Sequence, residues 1–335
     1  MVRSDFSHVS PPVRTLRFTT CDVFTETPLT GNPLAVVFGA EGLSDETLLA
    51  ITREFNYSET TFVFAPETPG TTRRVRIFTP GGEVPFAGHP TLGTAHVLVA
   101  TGMVRANADD GGTAVLNLVL GENVGPVPVR VWCENGVPTH AQLTTAQRPE
   151  ERAEGVPPRA ALAEVLALQP EDFVGGAHAP MGVSCGLPFL VVPLASVDAV
   201  RRARVRQDAW EAHLRGRWAT EPLVFALVRD DADREDLPVS LRTVDIRARV
   251  FVPGLSVPED PATGSANACL AGYLAARTPR DGTLRWRVAQ GVEMGRPSRL
   301  ELEADKQGGV ITAVRVAGAS VVVSEGTMRL PAAGH

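Results

Sequence analysis

The chain repeats itself at a distance as long as a domain. Arg76-Ile-Phe-Thr-Pro-Gly-Gly-Glu-Val-Pro85 matches Arg249-Val-Phe-Val-Pro-Gly-Leu-Ser-Val-Pro258 at six of ten positions, 173 residues further on. Past the loop, Pro90-Thr-Leu-Gly-Thr-Ala95 meets Pro261-Ala-Thr-Gly-Ser-Ala266 at a shift of 171, which reads as two extra loop residues in the first copy. A fainter pair is Gly31-Asn-Pro-Leu-Ala-Val-Val37 and Gly186-Leu-Pro-Phe-Leu-Val-Val192, each followed by a helix start, at Ser44 and Ser196. A period of that length is a whole domain, because solenoid units run about 20 to 50 residues. With 335 residues the chain has room for two domains.

The pattern within each copy is strand, Pro/Gly loop, then a run of small and apolar residues. Thr91–Ala100 is apolar on nearly every side, and the second run passes through Ala268, Leu270, Ala271 and Leu274. A helix apolar all round is a buried helix, so each predicts a domain centre with strands wrapped about it. Around the first, strands are expected at Thr15–Phe24, Leu34–Phe38, Thr60–Ala65 and Val75–Phe78. Ser44, with Asp45 and Glu46 behind it, predicts a capped amphipathic helix to about Glu54. The first domain is expected over 14–125 and the second over 126–317, with the boundary near Gly125-Pro-Val-Pro128. The last strand, 318–331, is a candidate to return to the first domain. Gln147–Arg159 reads as an exposed loop and the first dozen residues as a loose tail.

Composition removes several function classes. Thirty-two basic against 38 acidic residues, with the arginines scattered, lack the footprint of a nucleic-acid binder. No run approaches the roughly 20 apolar residues of a membrane span, and Met1–Val13 lacks the apolar stretch of a signal peptide. The four cysteines, Cys21, Cys133, Cys185 and Cys269, are too far apart for a zinc motif or a disulfide framework, which suits a cytoplasmic protein. Dinucleotide and Walker signatures are missing, and no acidic ligand accompanies His89 and His96, so neither a cofactor nor a metal is expected.

The chemistry is expected at the two helix entrances. A helix start presents unpaired N–H groups and partial positive charge, so a substrate carboxylate can sit there. Pro90 suits the first helical position, with His89 just before it and Asp260 just before Pro261. The repeat thus places His89 and Asp260, both able to carry a proton, at equivalent points of two converging helices. Glu59 lies at a junction between helix and apolar strand, where partial desolvation raises a carboxylate's pKa and makes it a better base. Ser265 adds a hydroxyl. Each has an ordinary reading too: Glu59 as a surface charge, His89 and Asp260 as helix caps.

Five segments, Gly31-Asn-Pro-Leu-Ala-Val-Val, Ser58-Glu-Thr-Thr-Phe-Val, Pro85-Phe-Ala-Gly-His-Pro-Thr-Leu-Gly-Thr-Ala, Glu259-Asp-Pro-Ala-Thr-Gly-Ser-Ala and Gln290-Gly-Val-Glu-Met-Gly-Arg-Pro-Ser, resemble signatures of the phenazine-biosynthesis isomerase-like (PhzF-like) family, in family order. The similarity runs from about Leu16 to Leu330 and implies an α+β fold akin to diaminopimelate epimerase. That fold has two pseudo-symmetric domains, each a curved antiparallel sheet around a central helix, and is assembled as a homodimer. It also implies that Glu59 is the catalytic glutamate, with His89, Asp260 and Ser265 in the cleft and Gly88 and Gly264 at the helix starts. In the epimerase branch two cysteines do this work; here Gly88-His89 and Asp260 stand in those loops, and Cys269 lies further along its helix.

The expectation is therefore a cofactor-independent isomerase, similar to trans-2,3-dihydro-3-hydroxyanthranilate isomerase. Glu59 takes a proton from carbon beside an unsaturated system and returns it elsewhere on the same frame. Asp260 and His89 orient the substrate's amino or hydroxyl group, and amides near Gly264 and Ser265 hold its carboxylate. Two alternatives stand beside it: an amino-acid or hydroxy-acid epimerase, and a small-molecule binding protein without turnover.

Overall fold

The computed structural model describes residues 14–105, 112–254 and 258–330, so the expected tail lies outside the described residues. The first half runs β1 (Arg14–Val23), β2 (Asn32–Phe38), α1 (Asp45–Phe55), β3 (Glu59–Phe64), β4 (Arg73–Thr79), β5 (Gly82–Val84), α2 (Gly88–Ala100), β6 (Thr113–Glu122), β7 (Gly125–Glu134) and β8 (Val137–Thr144). There follow β9 (Glu150–Arg152), α3 (Arg159–Leu166), β10 (Met181–Ser184), β11 (Pro188–Pro193), α4 (Val197–Arg202), α5 (Gln207–His213) and β12 (Pro222–Leu227). The chain closes with β13 (Ile246–Phe251), β14 (Glu259–Asp260), α6 (Gly264–Arg277), β15 (Gly282–Gln290), β16 (Ser298–Gln307), β17 (Val310–Gly318) and β18 (Ser320–Leu330).

The pairings repeat as the sequence does. In the first half β1 is antiparallel to β2, β2 parallel to β3, β3 antiparallel to β4, β4 parallel to β6, and β6, β7 and β8 form a meander. In the second, β10 to β13 and then β15, β16 and β17 follow the same alternation. β8 pairs with β17, and β18 returns along the whole of β1. The result is α+β, dominated by sheet, with α2 and α6 as the two cores. Every residue of α2 from Gly88 to Val99 is buried, as is every residue of α6 from Ala266 to Ala275. The approach of α2 to its sheet is close: a Cβ on Gly93 would stand 2.6 Å from side-chain atoms of Leu34 and Val23, so this position admits only glycine without repacking.

Two connections are more regular than the sequence suggests. Gly125-Pro-Val-Pro128 is the start of β7, paired with β6 throughout. Its prolines precede the first β7–β8 pair, Val129 with Leu143, so their missing N–H groups deprive no second neighbour. The stretch expected as an exposed loop contains β9, which pairs with β10 and is held by Glu151, the acceptor of a 2.5 Å bond from Arg277 on α6.

The halves also share a lock beside each helix start. Arg76 grips Glu83 through Nε at 2.8 Å and Nη2 at 2.6 Å, and Arg249 grips Glu259 at 2.8 and 2.7 Å. Each guanidinium lies over a phenylalanine two residues on, Phe78 at 5.0 Å and Phe251 at 4.7 Å. Arg249 is 4% exposed, and removing one partner from such a buried forked pair costs about 3 to 5 kcal/mol. These locks fix β5 on β4 and β14 on β13, setting where each helix entrance begins.

Candidate active site

The helices begin two and three residues away from where the prolines suggested. α2 starts at Gly88 after the cap residue Ala87, so Pro90 is its third residue; α6 starts at Gly264 after Thr263, so Pro261 lies outside it. A proline is tolerated anywhere in a first turn because those N–H groups have no partner within the helix. Neither cap side chain takes a first-turn amide: Ala87 has none to offer, and the Thr263 hydroxyl donates to Asp260 Oδ2 at 2.6 Å. The two starts touch. A Cβ on Gly88 would lie 3.3 Å from the Gly264 Cα, and one on Gly264 3.5 Å from the Gly88 Cα.

The symmetry relation expected between His89 and Asp260 is thereby corrected. Val84 faces Ile77 on β4, and Asp260 faces Val250 on β13, the repeat-mate of Ile77. Val84 and Asp260 are mates, as are Gly88 and Gly264, all 176 residues apart. It is the second copy that carries three extra loop residues. His89 therefore corresponds to Ser265, and Asp260 reaches the site from a strand, not a helix.

The three candidate proton carriers nevertheless come together. His89 Nε2 lies 3.6 Å from Glu59 Oε2, and Asn32 bridges to the other carboxylate. Its Nδ2 donates to Asp260 Oδ1 and to the Ala262 carbonyl, each at 2.9 Å, and stands 3.3 Å from His89 Nδ1. An amide has two protons, so the two oxygens take both. Ser58 Oγ donates to Asn32 Oδ1 at 3.2 Å. Beneath Asp260, Gln290 Nε2 donates to its carbonyl at 2.8 Å and Gln290 Oε1 accepts from Asn267 at 2.7 Å.

Burial sets the proton affinities. It pushes Glu59 up to about 7, with the polar Ser58 side chain beside it pulling the other way, although 18% of the Glu59 side chain still meets solvent. Burial and the neighbouring Glu59 charge raise Asp260 to about 6, opposed by His89, Thr263 and Asn32. His89, 5% exposed, is lowered to about 4 by burial, against the pull of Asp260 and of the Pro33 carbonyl. Two carboxyls poised near neutrality beside a neutral imidazole form a set that can give and take protons.

A cavity of about 360 Å3 opens on the other side of the Gly88–Gly264 contact. Gly88, Gly264 and Ser265 line it, with Phe86, Leu143 and Leu187 among its apolar wall residues and no charged side chain. Glu59, His89 and Asp260 are not on its wall. Leu187 is the repeat-mate of Asn32 and Ser265 that of His89, so the cavity is the twofold counterpart of the acid–base cluster with its polar groups exchanged. A separate cavity of about 370 Å3, near Ala40, Phe64 and Arg76, contains none of the candidate residues.

Asn32, Thr263, Gln290 and Asn267 were not singled out from sequence as site residues. Asn32 sat inside a Gly-Asn-Pro turn signal, and Gln290 opened a signature segment; both spacings were visible, but not that their amides would meet Asp260.

An acid–base set buried where two sheet-wrapped helices meet, on an epimerase-like fold, defines an enzyme of the isomerase class. A family model described as phenazine biosynthesis-like protein (PhzC-PhzF) matches residues 21–326, and the chain belongs to that family. An uncharacterized isomerase of Mesorhizobium japonicum is 38% identical over 320 residues, covering 94% of this chain and 99% of that one. Trans-2,3-dihydro-3-hydroxyanthranilate isomerase of Pseudomonas aeruginosa is 34% identical, covering 92% and 98%. The crystal structure of a PhzF-family phenazine biosynthesis protein from Bacillus anthracis superposes with a TM-score of 0.78 at 23% identity, over 94% and 99%. The fold alone extends to a probable proline racemase from Agrobacterium radiobacter, TM-score 0.60 at 11% identity, over 93% and 92%. Among the described residues no helix is long and apolar enough to cross a membrane.

Proposed function

We propose that the chain moves a proton within a small unsaturated carboxylate, as a trans-2,3-dihydro-3-hydroxyanthranilate isomerase-like enzyme, with Glu59 as the base. The observation that carries this is Glu59 itself, raised to about 7 and 3.6 Å from an imidazole lowered to about 4. At neutral pH such a carboxylate takes a proton from carbon and, once protonated, returns it. A positioned base of this kind contributes about 100- to 10,000-fold. His89, kept neutral, and Asp260, held by Asn32 and Thr263, orient the substrate's amino or hydroxyl group. The uncapped starts of α2 and α6, at Gly88, Gly264 and Ser265, take its carboxylate.

The site lies in the cleft between two units, the first comprising β1 to β8 with β18 around α2, the second β9 to β17 around α6. On this reading the boundary between the units falls after Thr144, where the sequence expectation has it at 125/126. On the family resemblance, the working form is a cytoplasmic homodimer.

An epimerase is the second reading, favoured by the fold it shares with the racemase. A two-thiol version is disfavoured: the α6 cysteine, Cys269, is buried, donates to the Leu187 carbonyl at 3.5 Å, and burial holds its thiol far above the ordinary range. The readings separate by incubating the protein with trans-2,3-dihydro-3-hydroxyanthranilate and with chiral amino and hydroxy acids, and resolving products by NMR. A moved double bond supports the proposal and an inverted centre the epimerase. Binding of the dihydro acid with no product of either kind overturns both in favour of a binding protein.

A further inference from the structure

The twofold relation continues one layer below the acid–base cluster and exposes a carboxyl group that the reaction does not use. β6 ends at Glu122, directly after Gly121, which pairs with Arg74; β15 ends at Gln290, directly after Ala289, which pairs with Arg247, the repeat-mate of Arg74. Each of these last residues reaches the fourth residue of its helix. Glu122 Oε1 lies 2.7 Å from Thr91 Oγ1, and Gln290 Oε1 lies 2.7 Å from Asn267 Nδ2. Thr91 and Asn267 also each bond the carbonyl of their helix's cap residue: Thr91 Oγ1 to Ala87 at 2.7 Å, Asn267 Nδ2 to Thr263 at 3.0 Å.

The proton count separates the two. Asn267 has two amide protons and serves both oxygens. Thr91 has one hydroxyl proton and two oxygen neighbours at the same 2.7 Å, so both contacts are hydrogen bonds only if Glu122 supplies a proton. The chain is then Glu122 O–H to Thr91 Oγ1, and Thr91 O–H to the Ala87 carbonyl. The setting agrees: Glu122 is 6% exposed, and among the described residues its Oε2 is buried with no partner. Burial raises its carboxyl to about 8, against the Thr91 bond and the Arg74 charge. A bare carboxylate there would leave one oxygen desolvated and unpaired.

We infer that Glu122 is a positioning residue that works as the neutral acid, the first half's counterpart of Gln290, pinning the first turn of α2 and through it the His89 ring. Only its consequence for turnover rests on the proposed isomerase function; the placement of His89 does not. The test therefore needs no substrate. The infrared difference between the wild type and Glu122→Gln at neutral pH should show the loss of a protonated carboxylic-acid carbonyl band; loss of carboxylate bands instead overturns the inference. Amide exchange over residues 86–98 and the NMR resonances of the His89 imidazole give the second readout. Glu122→Ala should speed exchange in the first turn of α2 by about tenfold or more and shift His89, while Glu122→Gln, which keeps a neutral donor, leaves both near the wild type. Equal behaviour of the alanine variant and the wild type, or equal disturbance by both variants, overturns it.

Discussion

The side-chain amide of Asn32 donates to Asp260 Oδ1 at 2.9 Å, joining two residues 228 positions apart and tying the start of β2 to the strand that leads into α6. The same nitrogen holds the Ala262 carbonyl, and the amide oxygen accepts from Ser58, next to Glu59. One side chain thus sets the spacing of both carboxylates.

Asn32→Leu installs what the second half carries at Leu187. It removes a hydrogen bond that favours the charged form of Asp260, so the Asp260 pKa should climb further. A bond to a charged group is worth about 1.5 to 3 kcal/mol, so kcat/KM should fall by about ten- to a hundredfold. Steady-state kinetics with NMR titration of the carboxyl groups reads both effects.

The acid limb of the rate follows Glu59. A base must be ionised, and Glu59 sits at about 7, so kcat/KM should rise with pH through about 7 and flatten above it. The pH–rate profile checks this; a limb near the ordinary glutamate value would remove Glu59 from the role.

Much of this was readable from the chain. The duplication shows as a repeat, the two enclosed helices follow because all-round apolar runs must be buried, Glu59 stands out as a carboxylate at a helix–strand junction, and His89 and Asp260 stand out as the residues before the two loop prolines. Aligning Pro90 with Pro261 sets the symmetry mates five residues out of register, a shift of 171 where the strands and helix starts pair at 176. Helix starts are set by strand pairing at Val84 and Asp260 and by the Arg76–Glu83 and Arg249–Glu259 locks, none of which has a local signature. Asn32 and Gln290 were hidden for the same reason: an amide's partner is a matter of topology.

Stability should fall as pH rises from about 6.5 to 8.5. Glu59, Asp260 and Glu122 have folded values of about 7, 6 and 8, raised above their unfolded values. Their contribution is complete below the unfolded values and is lost as pH climbs through the folded ones. His89 and His96, lowered to about 4, act oppositely, losing stability as pH falls from about 6.5 toward 4. Thermal melts across pH should show the alkaline decline, and Glu122→Gln should flatten it between about 7 and 8.5.

Arg296 holds the loop that precedes Asn32. It donates to the Gly31 carbonyl at 2.7 Å, the Thr30 carbonyl at 2.8 Å and Asp22 Oδ1 at 2.6 Å. Asp22 is 3% exposed, so Arg296→Met strands a buried carboxylate and should cost about 3 kcal/mol in urea unfolding. A loss under about 1 kcal/mol would mean that the loop is held elsewhere.

The most direct measurement is deuterium uptake from heavy water into trans-2,3-dihydro-3-hydroxyanthranilate and a panel of small unsaturated carboxylates, by mass spectrometry, comparing wild type with Glu59→Gln. Uptake by the wild type that drops about a hundredfold or more in the variant, with thermal stability retained, is the result expected if Glu59 is the base. Equal uptake in both proteins would contradict that role outright.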